Sequence, residues 1–287
     1  MVRQFLLLVV ISITPSASHV LADGLVYRLP DDGAWVRYEL SEKGYVTITF
    51  PLDVTAPPGL KNAQKMPFKS TGYLVLRSVG QHDLEGERCR WIELESRVEI
   101  LGKFPNPATG ALQEKKENRH IILKMLIPEK YLSDGADPLA HVRKLYFKDG
   151  EKTPELVDEE QAKQYQIDRV RPVFPAPAEK VDKPQKQRVD TPGDEIGTLE
   201  CEKRTFESKY EGPLARGRRG WWSWQGKHAV CLHEKIPFGV ALLRFAGESH
   251  EWSGDKERSP RATVKSTKEM VVAEIGVGAK SELPKLN

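Results

Sequence analysis

The sequence lacks the short motifs that mark the common enzyme classes. It contains no G-x-S-x-G nucleophile motif, no H-E-x-x-H zinc motif and no glycine-rich phosphate loop. It also lacks an excess of one charge: 44 basic and 41 acidic side chains give no electrostatic case for nucleic-acid binding. These absences favour a noncatalytic protein and predict neither a cofactor nor a nucleic-acid partner.

Long hydrophobic runs are missing too, apart from a short one near the N-terminus. Arg3 precedes an apolar stretch over residues 5–13, and a small-residue cleavage site ends at Ala22. The stretch is shorter than the ~20 residues that a membrane-spanning helix needs. We therefore interpret residues 1–22 as a secretory signal peptide that is cleaved before Asp23, and expect a secreted or periplasmic protein without a transmembrane segment. The alternative is a buried N-terminal strand or helix.

Cysteine is scarce, since Cys89, Cys201 and Cys231 are the only three. Three thiols cannot all pair within one chain, and export favours the oxidation of two of them. If the strand-like segments 198–208 and 226–235 pair around the glycine-rich loop, Cys201 lies opposite Cys231. This makes Cys201 and Cys231 a candidate disulfide and leaves Cys89 free. The alternative is a pair of buried free thiols.

What the sequence does contain is apolar alternation with a period of two. Within residues 89–101, Ile92, Leu94, Val98 and Ile100 share one face, which predicts a half-buried strand. Further strands are predicted from the same rhythm or from β-branched and aromatic content at 33–40, 44–50, 71–79, 119–127, 141–147, 198–208, 228–236, 239–245 and 269–278.

Turn and helix signals are fewer. We interpret Ser41–Gly44, Asp83–Gly86 and Gln225–Lys227 as hairpin turns. Pro237–Gly239 is predicted to break the chain between two strands, with its phenylalanine buried at the corner. A Thr-Pro-Glu start predicts a helix over residues 153–169. The expected fold class is mainly β (α+β), as a curved antiparallel sheet or half-barrel with one or two packed helices.

One segment differs in composition from its surroundings. Residues 171–193 contain five prolines among charged and polar side chains, which predicts a mobile linker or surface loop. It follows a β-rich N-terminal part, residues 23–170, and precedes a β-rich C-terminal part, residues 194–287. These two parts form either separate domains or one sheet.

The strongest candidate binding residues lie in a loop rich in arginine and tryptophan. Arg218 and Arg219 precede Trp221, Trp222 and Trp224. Tryptophan stacks on planar or sugar ligands and arginine grips anions, so we take these five as candidate ligand-binding residues. The alternative is structural, because tryptophans that alternate along a strand can pack into one face of a sheet.

Two other groups of residues are weaker candidates for a functional site. His228, Cys231 and His233 are metal-ligand types, but a strand directs His228 away from the other two, so no metal site is predicted. Glu93 and Glu95 lie two apart on one strand, near the carboxylate spacing of inverting glycosidases. A charged, solvent-exposed face explains the two glutamates without catalysis.

The C-terminal third resembles a known type of protein. The segments HAVCLHEKIPFGVALLRF (228–245) and EMVVAEIGVGAKSEL (269–283) are similar to the closing strands of exported bacterial proteins of the lipoprotein-carrier type. The resemblance implies a curved sheet with an apolar concave side and carries no catalytic residue. Our leading hypothesis is a noncatalytic binding or carrier protein for an apolar or amphipathic, lipid-like ligand. The alternatives are a cell-envelope hydrolase and a structural or interaction module.

Overall fold

The computed structural model of the protein describes most of the chain beyond the predicted signal peptide. The described residues are 26–49, 63–105, 111–133, 138–157, 182–193, 195–213, 220–252 and 260–283. Residues 1–22, most of the predicted helix, the first half of the predicted linker, Arg218 and Arg219 therefore lie outside the described residues.

Eleven antiparallel strands form a single sheet, so the prediction of a mainly β protein is confirmed. The strands are β1 (Trp35–Thr49), β2 (Ala63–Leu84), β3 (Glu87–Pro105), β4 (Leu112–Pro128), β5 (Lys144–Asp149), β6 (Glu155–Val157), β7 (Gln185–Asp190), β8 (Thr198–Pro213), β9 (Trp221–Leu232), β10 (Val240–Trp252) and β11 (Ala262–Gly276). Their order in the sheet is β6-β5-β4-β3-β2-β1-β11-β10-β9-β8-β7. Two short 3₁₀-helices, Glu129–Tyr131 and Pro138–His141, complete the regular structure of the described residues.

The prediction of a curved sheet or half-barrel with one or two packed helices was wrong for the residues that the structure describes. The sheet is open and uncurled, with β6 and β7 as its edges, and its described part has no packed α-helix, although the two short 3₁₀-helices contact β3 and β4. Glu155–Val157, at the predicted helix start, instead pairs with β5. Leu156 is exposed and Val157 is buried, which is the alternation of a strand, so pairing outweighs the local start signal. No described helix is long and apolar enough to cross a bilayer.

The second half of the predicted linker is also a strand. Gln185–Asp190 pairs with Thr198–Lys203, and Val189 is buried in the interior cluster. Exposed lysine and arginine side chains suit a strand at a sheet edge because they discourage pairing with other chains. Strands from both sides of the segment belong to one sheet, which β1 joins by pairing with β11.

Close contacts with the neighbouring strand, one with backbone and one with a phenylalanine ring, account for the glycines of two incorrect turn predictions. Gly44 and Gly226 lie inside β1 and β9 rather than in hairpin turns. A Cβ on Gly44 would lie 2.2 Å from the carbonyl oxygen of Lys265, and one on Gly226 would lie 2.2 Å from the ring of Phe245. Both positions therefore need glycine for a close approach and not for a reversal of the chain. The turn predicted at Asp83–Gly86 is confirmed, since β2 and β3 meet there.

One face of the sheet, here called the inner face, is closed by apolar side chains. Val36, Leu76, Leu94 and Leu123 lie directly opposite one another across β1 to β4, and each is 0% exposed. Side chains from the connecting segments join the same cluster: Val26, Leu132, Ile236 and Phe238. The alternation predicted for β3 is thus confirmed. The opposite face is called the outer face below.

Candidate functional site

The three tryptophans of the candidate ligand site occupy both faces of β9. Trp222 and Trp224 share the inner face, as the sequence predicts, and Trp222 is 6% exposed. Trp221 lies on the outer face, is 40% exposed and stands opposite Trp252 of β10. Ligand binding by these residues stays a prediction, and the outer-face Trp221 is the most exposed of the three.

The register of β8 and β9 explains why the candidate disulfide is not formed. Cys231 lies opposite Lys203, so the predicted pairing with Cys201 was wrong by two residues. Cys89, Cys201 and Cys231 are all free and buried, as the alternative had it. Burial raises the pKa of the Cys201 thiol to about 11, which keeps it protonated and weakly reactive.

The histidines near Cys231 have neighbours other than a metal ion. His228 stacks on Phe206 with ring centroids 4.7 Å apart, on the inner face. His233 lies beyond the end of β9, where its Nδ1 accepts a hydrogen bond from the Lys235 backbone N–H. Within the described ranges, no group of three or more His, Cys, Asp or Glu side chains is placed to hold a metal.

A serine–histidine contact that sequence reasoning missed lies between β8 and β9. The Oγ of Ser208 is 2.7 Å from Nε2 of His228, the spacing of a nucleophile and its base. Burial, aided by the nearby charge of Lys268, lowers the pKa of His228 to about 3. An imidazole this weakly basic is poorly matched to taking up a proton at neutral pH, so the contact is structural.

The buried histidine makes stability depend on pH. Its pKa lies below the ordinary value of 6.5, so below that pH the unfolded chain binds a proton that the folded chain does not. The contribution of neutral His228 to the stability of the fold is therefore present above pH 6.5 and is lost as the pH falls toward 3. One proton gives about 1.4 kcal/mol per pH unit, so the free energy of unfolding should fall by about 2 kcal/mol between pH 6.5 and about pH 5.

Urea denaturation of wild type, His228→Phe and His82→Gln over this pH range measures the effect. His82 is exposed and serves as the matched control. His228→Phe should remove the loss, whereas His82→Gln should retain it. An unchanged pH dependence in His228→Phe would show that His228 is not its source.

The paired glutamates of β3 are buried, so the solvent-exposed face proposed for them was wrong. Glu93 is 0% exposed and Glu95 is 3% exposed. Arg77 of β2 bridges them, with Nη1 3.3 Å from Oε1 of Glu93 and Nη2 2.6 Å from Oε2 of Glu95. The guanidinium therefore neutralises charge that burial would otherwise disfavour.

The chain end after β11 covers this cluster. Ser281 Oγ donates to Oε2 of Glu93 at 2.6 Å, and the backbone N–H of Glu282 donates to Oε1 at 3.0 Å. Lys124 Nζ in turn donates to Ser281 at 2.9 Å. These hydrogen bonds attach the segment after β11 to the outer face of the sheet.

The protonation of Glu95 does not suit acid catalysis. Burial opposes its ionisation, but hydrogen bonds and charges from Arg77 and Arg97 outweigh burial and lower the pKa of Glu95. The general acid of a glycosidase needs a raised pKa. Glu93, Glu95 and Arg77 therefore form a buried ion-pair network rather than an acid–base pair.

A groove of about 1320 Å³ crosses the outer face. Its lining comes from Asp182 and from two rungs, a rung being a set of residues directly opposite one another across neighbouring strands. The first rung is Ser41, Glu269, Arg244, Ala229 and Thr205, and the second is Lys69, Lys43, Thr267, Ala246, Lys227 and Glu207. The interleaved inner-face rung contributes Glu42, Lys268, Phe245, His228 and Phe206.

Some of the charges in the groove neutralise one another. Arg244 Nε lies 2.5 Å from Oε2 of Glu269, and Lys227 Nζ lies 3.0 Å from Oε1 of Glu207. These pairs lie on neighbouring strands of the same face. Asp182, whose carboxylate accepts a hydrogen bond from Thr205 Oγ1, adds one negative charge, so this side of the groove carries no excess of positive charge.

The β1 and β2 side of the groove is cationic. Lys43 and Lys69 are exposed, lie directly opposite each other, and have no ion pair within the part of the chain that the structure describes. Like charges at opposite positions destabilise a sheet, so this pair opposes folding unless an anion joins it. Next to it, the small side chains of Thr267 and Ala246 leave room above the strands.

Comparison with known proteins assigns no family. No family model matches the chain, and no curated protein matches it. Among solved structures, that of a provisionally assigned lipoprotein from Parabacteroides distasonis shares 11% identity over 88% of this chain and 100% of that chain, with a TM-score of 0.24. The transport unit of the autotransporter AIDA-I from Escherichia coli shares 6% identity over 84% of this chain and 90% of that chain, with a TM-score of 0.26.

Proposed function

We propose that this protein is an exported, noncatalytic binding protein whose ligand is an elongated amphipathic molecule with an anionic group. The observation that carries the proposal is the outer-face groove with its adjacent lysines, Lys43 and Lys69. Carboxylate and phosphate groups form strong charge-assisted hydrogen bonds with such cations. The small side chains beside the lysines accommodate the rest of an extended ligand.

The outer face suits a ligand better than the inner face does. The carrier resemblance implies an open apolar side, but the inner rung of Val36, Leu76, Leu94 and Leu123 is 0% exposed. A ligand there would have to displace packed side chains. The outer groove needs no such rearrangement, which favours an amphipathic ligand over a wholly apolar one.

Two observations argue against the hydrolase alternative. Glu95 has a lowered pKa and is bound by arginines, and His228 has a pKa of about 3. Neither group is poised to exchange a proton near neutral pH.

Export is the second part of the proposal. It is supported by the positive start, the short apolar run and the small-residue site that ends at Ala22. It requires a mature chain that begins at Asp23. A secreted or periplasmic location would place the groove where envelope amphiphiles are available.

The groove is tested by titrating the protein with a fluorescent anionic fatty-acid analogue. Replacing both lysines (Lys43→Ala with Lys69→Ala) should weaken binding at least about tenfold, because a hydrogen bond to a charged group contributes about 1.5–3 kcal/mol. The matched control replaces Lys144 and Lys186, which are exposed on β5 and β7. It should leave affinity unchanged.

The probe's uncharged methyl ester is the second control. It should bind wild type as weakly as the anionic probe binds the double variant. Equal affinity of wild type for the acid and the ester would show that the lysines do not recognise an anion.

A further inference from the structure

One end of the sheet combines aromatic and basic side chains on the outer face; Trp221 and Lys65 are exposed, and Tyr45, Trp252 and Arg261 are half-buried. It is the end reached by the last residues of β1, β8 and β10 and the first residues of β2, β9 and β11. We call it the aromatic end and define it by Tyr45, Lys65, Trp221, Trp252 and Arg261.

The outermost rung of the aromatic end places arginine beside two tryptophans. Trp221 and Trp252 are directly opposite each other. The backbone of Arg261 continues the ladder, because its N–H donates to the Glu251 carbonyl at 2.7 Å and its carbonyl accepts from the Thr49 N–H at 2.9 Å. The backbone pairing thus places Trp221, Trp252 and Arg261 side by side at one edge of the sheet.

The next positions on the same face add a lysine and a tyrosine. The ammonium of Lys65 lies 3.7 Å from the ring centroid of Tyr45. Neither Lys65 nor Arg261 forms an ion pair among the described residues. No described carboxylate therefore neutralises either charge, and Lys65 is exposed while Arg261 is half-buried.

Net charge is concentrated toward this end. From the rung of Lys43 outward, the described strand residues are 43–49, 63–69, 101–105, 112–116, 207–213, 221–227, 246–252 and 260–267. They contain ten basic and five acidic side chains, a net charge of +5, whereas the whole chain carries +3. The described residues together carry 32 basic and 29 acidic side chains, a net charge of +3, so those outside this end carry +3 less +5, or −2. The described part of the molecule is therefore electrically polarised along its strands.

We propose that the aromatic end docks onto the surface of an anionic lipid bilayer. Tryptophan and tyrosine favour the level of the lipid headgroups, where the ring is buried and the polar atom stays hydrated. Lysine and arginine are attracted by anionic lipids, and charge polarisation orients the molecule as it approaches. The docking surface shares no residue with the anion site of the groove, although Lys43 and Lys69 of that site contribute two of the positive charges that polarise the molecule.

Co-sedimentation of the full chain with vesicles tests the proposal. The protein should bind vesicles of phosphatidylcholine with phosphatidylglycerol, bind phosphatidylcholine vesicles far less, and dissociate as salt is raised. Lys65→Ala and Arg261→Ala should each weaken binding about fivefold, the contribution of one basic residue near an anionic surface. The control Lys144→Ala, on β5, should bind as wild type does.

Quenching by brominated lipids locates the contact. Quenching of tryptophan fluorescence should fall in Trp221→Phe and stay at the wild-type level in Trp35→Phe, because Trp35 begins β1 at the opposite end of the sheet.

Absence of binding to the anionic vesicles, or equal binding by Lys65→Ala, Arg261→Ala and wild type, would overturn the proposal. So would tighter binding to a single-stranded oligonucleotide than to the vesicles. The fatty-acid titration contains no bilayer, so the failure of either proposal leaves the other standing.

Discussion

Phe238→Ala is expected to lower the free energy of unfolding by about 3–5 kcal/mol, the usual effect of truncating a buried aromatic side chain. Phe238 is 0% exposed and lies in the turn between β9 and β10, where the sequence predicts a break with a buried phenylalanine. Its carbonyl accepts a hydrogen bond from the Tyr27 N–H at 3.0 Å. The ring also joins the interior cluster, so truncation leaves a cavity under the segment that covers the inner face.

Urea denaturation of Phe238→Ala, Phe238→Leu and Trp221→Ala measures the effect. Phe238→Leu should fall between wild type and Phe238→Ala because it retains part of the apolar volume. Trp221→Ala should change stability far less, since its side chain is 40% exposed. A neutral Phe238→Ala would mean that the turn does not anchor the covering segment.

Arg77→Leu is expected to destabilise the protein by about 3–5 kcal/mol, because it leaves two buried carboxylates without their shared cation. Glu93 is wholly buried and Glu95 nearly so, and the guanidinium contacts both. Arg97→Leu is the matched control. Arg97 contacts Glu95 at 2.8 Å, but its side chain is 53% exposed, so its loss should cost less than about 1 kcal/mol.

The pH dependence separates charge from packing in this variant. In wild type the pKa of Glu95 is lowered from 4.5, so its contribution is present above pH 4.5 and is lost as the pH falls through the folded-state pKa. In Arg77→Leu, Glu95 stays buried but loses a cation that lowers its pKa, so the deficit relative to wild type should shrink as the pH falls from about 7 to about 4. A deficit that is equal at both pH values would indicate lost packing of the arginine stem.

Local alternation was sufficient to predict most of the long strands and much of the interior, but not the edge strands β6 and β7. Ile92 and Leu94 face inward because a strand has a period of two, and this pattern is visible within one segment. The turn at Asp83–Gly86 and the break at Pro237–Gly239 are likewise local. The open sheet and its lack of packed helices depend on how distant strands pair, so local patterns did not exclude a half-barrel.

Cross-strand register accounts for what sequence reasoning missed at the candidate sites. Lys43 and Lys69 are far apart in the chain and meet only because β1 pairs with β2. Arg77 reaches Glu93 because β2 pairs with β3. No single segment reveals either contact. A register error of two residues likewise produced the candidate disulfide between β8 and β9.

Native mass spectrometry of the exported protein, purified from its own host without added lipid, tests whether it binds an anionic amphipathic ligand at Lys43 and Lys69. We expect a mature chain beginning at Asp23 that carries one such ligand. The double variant Lys43→Ala with Lys69→Ala should lose that ligand, whereas the Lys144→Ala with Lys186→Ala control should keep it. An unliganded wild-type chain, or the same ligand retained in full by the Lys43 and Lys69 variant, would contradict this expectation.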